Sequence, residues 1–278
     1  SPGQNVRQAG EDIQTGQVVL EAGTQLTPPQ IGLIASLGVA EITVKTRLTA
    51  AVFSTGDEVL SLGQPTREGC IYDSNRYSLM AALKMLGCHV LDMGIIPDDP
   101  EKLQQAFTLS ANSADIIFTS GGVSVGSADY TKQILSKTGS INFWKVAMKP
   151  GRPVAFGKID DTIFFGLPGN PVAVMVTFYQ FALPCLQKLM GVKSPLISPL
   201  VQARCTQPIR KLAGRTEFQR GVLSKGESGQ WLVSTTGQQG SGVLRSMSDA
   251  NAFIILNHDQ SSIEEGDLVT VQPFSGLF

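Results

Sequence analysis

The chain has 278 residues, with 22 Lys plus Arg against 23 Asp plus Glu for a formal net charge of -1, and it is 42% apolar and 16% charged. That length suits two or three domains with a sizeable core, which excludes a mainly disordered chain. The balanced charge writes no basic stripe for nucleic acid, and the most continuous apolar stretch, Val172 to Leu186, is broken by Thr177, Gln180 and Pro184 and falls short of the ~20 residues that cross a bilayer.

The four cysteines, Cys70, Cys88, Cys185 and Cys205, form no CxxC pair, so reduced thiols and a cytoplasmic location are expected. With only His89 and His258, neither a zinc site nor a His-based triad finds matching spacing. The opening text SPGQNVRQAGED lacks an initiator Met and reads as the middle of a longer protein.

In chain order, residues 1–46 mix β-like runs at Gln17–Leu20 and Glu41–Val44 with one marked helix. Thr27 and Gln30 make a capping box, Pro28 takes the first helical position, Ile31, Leu33, Ile34 and Leu37 supply apolar faces, and Gly38 ends it. Residues 47–197 alternate short apolar runs with amphipathic segments. Strand Ala50–Phe53, helix Asp73–Leu86, strand Cys88–Met93, helix Pro100–Ala111, strand Asp115–Thr119 and helix Ser127–Ser136 come first. Strands Ile141–Val146, Pro153–Phe156 and Thr162–Phe165 follow, then a long helix from Pro171 that Pro184 kinks or restarts. This alternation predicts an α/β fold, a mainly parallel sheet with helices on both faces. Residues 198–278 lose helical periodicity. Runs at Gly221–Leu223, Trp231–Thr235, Ala252–Leu256 and Leu268–Val271, with a hairpin turn at Lys225–Gly229, predict a small β-barrel or sandwich.

Three loops follow strands of the middle unit: Ser54–Glu58, Thr119–Gly126 and Leu167–Pro171. Ligands of open α/β sheets bind beyond the carboxyl ends of strands, so these loops are expected on one rim. Backbone N–H groups freed by glycine, and helix N-termini at Ser127 and Pro171, suit a phosphate or another oxyanion. The candidate binding residues are Thr55, Gly56, Ser120, Gly121, Gly122, Ser124, Gly126, Pro168, Gly169, Asn170 and Pro171. Neither GxGxxG nor the P-loop is present, since Ser127 follows Gly126 where the P-loop needs Lys. Tight turns alone would also account for any one of these loops.

The acids Asp57, Glu58, Asp98, Asp99 and Asp129 gather on the same rim, and hard oxygen ligands without His or Cys suit Mg²⁺ held partly by water and substrate phosphate. Asp73 or Ser74 reads first as a helix cap, and Asp129, in a first helical turn, is favoured there by the helix dipole as well. Lys145, Lys149 and Arg152 in KVAMKPGRP can hold an oxyanion or stand as ordinary surface charges. Arg215, Arg220 and Ser241 add weaker candidates from the third unit. The apolar run after Pro171, the cysteines and His89 read as structural.

The motifs RQAGEDI, STGDE, IYDSN, DD, TSGGVSVGSADY, KVAMKPGRP and LPGNPVA, in that order, resemble the MoeA / gephyrin E-domain family, the molybdopterin molybdenumtransferases, over essentially the whole chain. The resemblance implies a MogA-like molybdopterin-binding middle domain, with residues 1–46 part of a dimer-forming, β-rich N-terminal domain. It implies an enzyme of molybdenum cofactor biosynthesis that takes adenylated molybdopterin and molybdate, inserts the metal at the dithiolene and releases AMP with Mg²⁺. By motif, Glu58, Asp98 and Asp129 look like active-site acids, Asp98 and Asp129 the metal ligands. Pro168 and Pro171 shape the pterin loop, and Lys145, Lys149, Arg215 or Arg220 and Ser241 look like substrate or molybdate contacts. Many members carry Ser where this chain has Ala173, and the resemblance implies a further N-terminal segment ahead of the text that begins at Ser1. The implied partners are a second copy of the chain and the adenylyltransferase of the same pathway. Two other readings are that adenylyltransferase itself, which the third unit argues against, and a gephyrin-like scaffold binding a partner peptide.

Overall fold

The structure, a computed structural model, describes residues 2–122, 134, 139–193 and 200–274. Helix α1 (Pro28–Ser36) starts as its sequence dictates, with the Thr27 N–H donating to Gln30 Oε1 at 3.2 Å, and Gly38 behind it takes φ +70°. The β-like runs Gln17–Leu20 and Glu41–Val44 form no strand, which corrects the strand expectation for these two runs. A strand needs a partner's backbone to satisfy its N–H and C=O groups, and neither run enters a strand pairing among the described residues. Val18 and Val44 stay 73% and 61% exposed.

The middle unit is a six-stranded sheet built from β1 (Thr49–Thr55), β4 (His89–Ile96), β5 (Ile116–Ser120), β6 (Gly139–Lys145), β8 (Pro153–Ile159) and β9 (Thr162–Leu167), in the order β4-β1-β5-β9-β8-β6. A short pair, β2 (Val59–Leu60) and β3 (Ile71–Tyr72), lies apart. Strands β4, β1, β5 and β9 run parallel; β8 and β6 are antiparallel additions. The run Ala50-Ala51-Val52-Phe53 is wholly buried because both faces are covered. Ala50 and Val52 pack with Leu79 and Leu83 of α2 (Asn75–Met85) and with Val174 and Phe178, while Ala51 and Phe53 pack with Leu103 and Phe107 of α3 (Pro100–Ser113). Asp99 caps α3, accepting from the Glu101 and Lys102 N–H groups. Apart from Ile134, the segment expected as helix Ser127–Ser136 lies outside the described residues.

The long apolar helix breaks as its proline predicts. α4 (Pro171–Thr177) passes into a π turn at Phe178–Ala182, and α5 (Leu183–Leu189) restarts with Pro184 in its first turn, because Pro184 has no N–H for an in-register helix bond. Among the described residues this is the one helical run long and apolar enough to cross a bilayer, and most of it is buried in the protein.

Five strands, β10 (Val201–Cys205), β11 (Thr216–Lys225), β12 (Trp231–Thr235), β13 (Ala252–Leu256) and β14 (Leu268–Pro273), close into a barrel around Ala203, Val233, Ile254, Val269 and Val271. A two-residue strand of the middle unit, β7 (Met148–Lys149), joins it by pairing parallel with β11. Met148, Val172, Val176, Met247 and Phe253 form a shared apolar seam, so the barrel is held against α4. Helix α6 (Leu244–Ser248) supplies Met247.

Candidate functional site

Strand register decides what meets at the rim. Ser54 pairs with Ser120 and Ser120 with Leu167, so the loops after β1, β5 and β9 leave the sheet at one height. Thr55 pairs with Ile96, so two residues further along each chain Asp57 and Asp98 stand side by side, and the Asp98 N–H donates to Asp57 Oδ1 at 3.4 Å. Strand β8 runs back from the rim, Ala155 opposite Gly166, so Pro153 and the preceding Lys145–Arg152 loop come to the same end of the sheet.

Two glycines are required by geometry. Gly56 has φ +128°, and a Cβ there would lie 2.6 Å from Glu58 Oε2, so the glutamate folds back over bare backbone. Gly121 has φ +91°, and a Cβ would meet Thr55 O at 2.7 Å and Thr55 Oγ1 at 3.0 Å. Gly121→Ala is therefore expected to cost about 2 kcal/mol, read as a lowered urea midpoint.

Asp57 and Glu58 are exposed and Asp98 half-buried. Burial, then the charges of Asp57 and Glu58, push the Asp98 carboxyl above the usual carboxylate range. Asp57 and Asp98 offer hard oxygen donors, but among the described residues no group of three or more such side chains is placed to hold a metal ion. Arg67 borders this group, donating from Nη2 to Asp57 O at 3.0 Å and from Nε to Cys70 Sγ at 3.1 Å. A cleft of about 560 Å³ opens here, lined by Gly56, Asp57, Arg67, Ile95 and Pro97 among others. A larger apolar cavity, about 1030 Å³, lies elsewhere, between residues 19–47 and the ends of α2 and α5, and the acids are not among its lining.

At the other end of the rim, Pro168 is buried, Gly169 and Asn170 are exposed and Pro171 half-buried. The Val172 N–H donates to Ser241 O at 3.0 Å, which brings Ser241 from the barrel to the start of α4. Lys145, Lys149 and Arg215 are exposed, and Lys149 pairs with the buried Glu217 at 3.2 Å. Arg220 stands apart from the other cations. It is 1% exposed on the outer face of the barrel wall, beneath the 238–248 segment that covers it, donating to Ser246 Oγ at 3.0 Å and Gly240 O at 3.1 Å, so its described contacts fasten that segment to β11. Ser124, Gly126 and Asp129 lie outside the described residues.

Asp73 does cap α2, accepting from the Arg76 N–H at 3.1 Å, but it is also buried and accepts from Arg76 Nε at 2.9 Å and Ser54 Oγ at 3.0 Å. Sequence reasoning passed over two residues that organise the rim. Glu217 sits in a polar strand with nothing local to mark it. Asn75 lies within IYDSN and donates to the loops after β5 and β9. Its Asx-type chemistry at a helix start was the available signal, and it reads equally as a cap.

Residues 51–188 match the family model of a probable molybdopterin binding domain, residues 202–274 that of the MoeA C-terminal region (domain IV), and residues 1–38 that of the MoeA N-terminal region (domain I and II). The molybdopterin molybdenumtransferase of Haemophilus influenzae is 45% identical over 276 residues, 99% of this chain and 68% of that protein. A Nostoc relative of the same name is 35% identical across 97% of this chain and 63% of its own length, and the gephyrin of Dictyostelium discoideum is 34% identical across 96% and 42%. The chain thus spans about two thirds or less of the length of these relatives. A solved molybdopterin biosynthesis MoeA protein from Pyrococcus horikoshii OT3 superposes with a TM-score of 0.78 at 25% identity, covering 95% of this chain and 63% of that one. Matched in ordered pieces along its length and 45% identical to one named member, the chain belongs to the molybdopterin molybdenumtransferase (MoeA) family.

Proposed function

We propose that this rim binds adenylated molybdopterin and molybdate and inserts the metal at the dithiolene, with release of AMP. The carrying observation is the register that sets Asp57 and Asp98 side by side next to glycine loops, with Lys145 and Lys149 on the same end of the sheet. The Gly122 backbone and the Ser120 hydroxyl, beside Thr55, hold phosphate oxygens while the Gly121 N–H ties the loop to Leu167 O, and the motif adds Ser124 and Gly126 as further candidates. Pro168 to Pro171 form the pterin wall, and the lysines, with Arg215 and Ser241, offset negative charge on the anhydride and on molybdate. Glu58 orients the water that cleaves the phosphoanhydride and accepts its proton. Asp98 and Asp129 are the residues that would hold Mg²⁺, which supplies charge neutralisation at the phosphates. The chain works as a cytoplasmic homodimer in units 1–46, 47–197 and 198–278, receiving its substrate from the preceding adenylyltransferase.

The test is AMP release from adenylated molybdopterin, with and without molybdate and Mg²⁺, for the wild type and Asp129→Ala. Molybdate-dependent release that Asp129→Ala abolishes, with its melting temperature unchanged, is the expected result. Unchanged turnover in the variant would remove Asp129 from the chemistry, and no release or binding by the wild type would turn the reading toward a scaffold.

A further inference from the structure

We propose that Asn75 is a positioning residue of this rim, fastening the loop after β9 to the end of β5 and thereby setting how Ser120 and Gly169 face the substrate. The inference rests on the reading of the rim given above. Asn75 opens α2 two residues after Asp73, which is buried and accepts from Ser54 Oγ, the Arg76 N–H and Arg76 Nε. Asp73 already serves the helix start, so Asn75 is not needed as its cap.

The Asn75 amide nitrogen lies 2.8 Å from Ser120 Oγ and 2.6 Å from Gly169 O, the latter 94 residues away in sequence. A carbonyl only accepts, so Gly169 fixes which end of the amide faces it. The second N–H then goes to Ser120 Oγ, and the Ser120 hydroxyl proton is turned away from Asn75. Asn75 Oδ1 is buried and has no partner among the described residues. Flipping the amide to relocate that oxygen would set two acceptors against each other at Gly169, so the clasp holds at the expense of an unpaired acceptor. The neighbouring loop contacts agree. The Gly121 N–H donates to Leu167 O at 3.2 Å, and the Thr55 hydroxyl, buried and also without a partner among the described residues, lies against Gly121. Four chain segments thus meet through one amide side chain and one glycine.

Asn75→Asp removes both donors, and Asn75→Ser, which keeps one, separates this role from a structural one. Asn75→Asp keeps the side-chain size, and a carboxylate in the first turn of α2 is favoured by the helix dipole, but it cannot donate to Gly169 or Ser120. The expected result is a KM for adenylated molybdopterin raised about tenfold with kcat within about twofold, together with a lowered melting temperature because a carboxylate oxygen then faces Gly169 O, whereas Asn75→Ser, which has no such repulsion, should raise KM at a melting temperature near that of the wild type. Amide exchange across residues 167–171 should quicken in Asn75→Asp, with Asn75→Ser intermediate in KM and in exchange. An unchanged KM in Asn75→Asp beside an active wild type overturns the inference. Unchanged exchange overturns it whether or not the wild type releases AMP, whereas a wild type that releases none sinks the functional reading and leaves the exchange measurement to decide the clasp.

Discussion

Asp98→Asn is expected to lower AMP release by about 10²- to 10³-fold while raising the melting temperature by about 2 °C in chelator. The two effects share one cause. The Asp98 carboxyl is pushed up by burial and by Asp57 and Glu58, so its charged form is held at a cost that the neutral amide avoids. The sign with pH follows from linkage. A carboxyl raised on folding contributes stability at pH below its ordinary unfolded value, and that contribution is lost as pH rises through the raised folded value. The stability gap between wild type and Asp98→Asn should therefore close as pH falls through that window. Mg²⁺ should raise the wild-type melting temperature and leave Asp98→Asn unmoved. A variant that melts with the wild type at neutral pH and keeps full turnover would show that Asp98 is an ordinary loop acid.

Arg220→Ala is expected to destabilise the barrel by about 3 to 4 kcal/mol, seen as an early transition in urea reported by Trp231 fluorescence. Burial lowers the Arg220 guanidinium to about 10, still a cation at neutral pH, and its charge is met by neutral acceptors at Ser246 and Gly240. Removing it strands those acceptors and opens a cavity where a large side chain was fully enclosed. The effect reaches the rim, because Gly240 precedes Ser241, whose carbonyl receives the Val172 N–H at the start of α4. Arg220→Lys should recover part of the stability, since it keeps the charge and loses the fork. If Arg220 instead held a substrate oxyanion, as the family motif implies, the alanine variant would unfold with the wild type and lose only binding.

Much of the middle unit was legible in sequence because its signals are local. Apolar runs such as Ala50–Phe53 mark strands covered on both faces, Pro28 and Pro100 mark helix starts, and the glycines of STGDE and SGGV mark turns where backbone must pass close to its neighbours. The break at Pro184 follows from a missing N–H and needs no partner to foresee. The same local reading erred at Gln17–Leu20 and Glu41–Val44, where β-type residues lacked a neighbouring strand. It also put Arg220 with the anion contacts, because no local window shows that the 238–248 segment folds over that face of β11 and takes up its guanidinium.

By itself, then, the sequence determined the order of strands and helices, the loops that must be glycine, and the family, all properties carried within short windows or by motifs in order. Only the tertiary structure decided that Asp57 meets Asp98, that Glu217 holds Lys149 from 68 residues away, that the 238–248 segment covers Arg220 and that Asn75 ties the end of β5 to the loop after β9. Each of these depends on strand register and barrel closure, which are set by pairing between distant segments and by the burial that pairing creates, and no local window contains either.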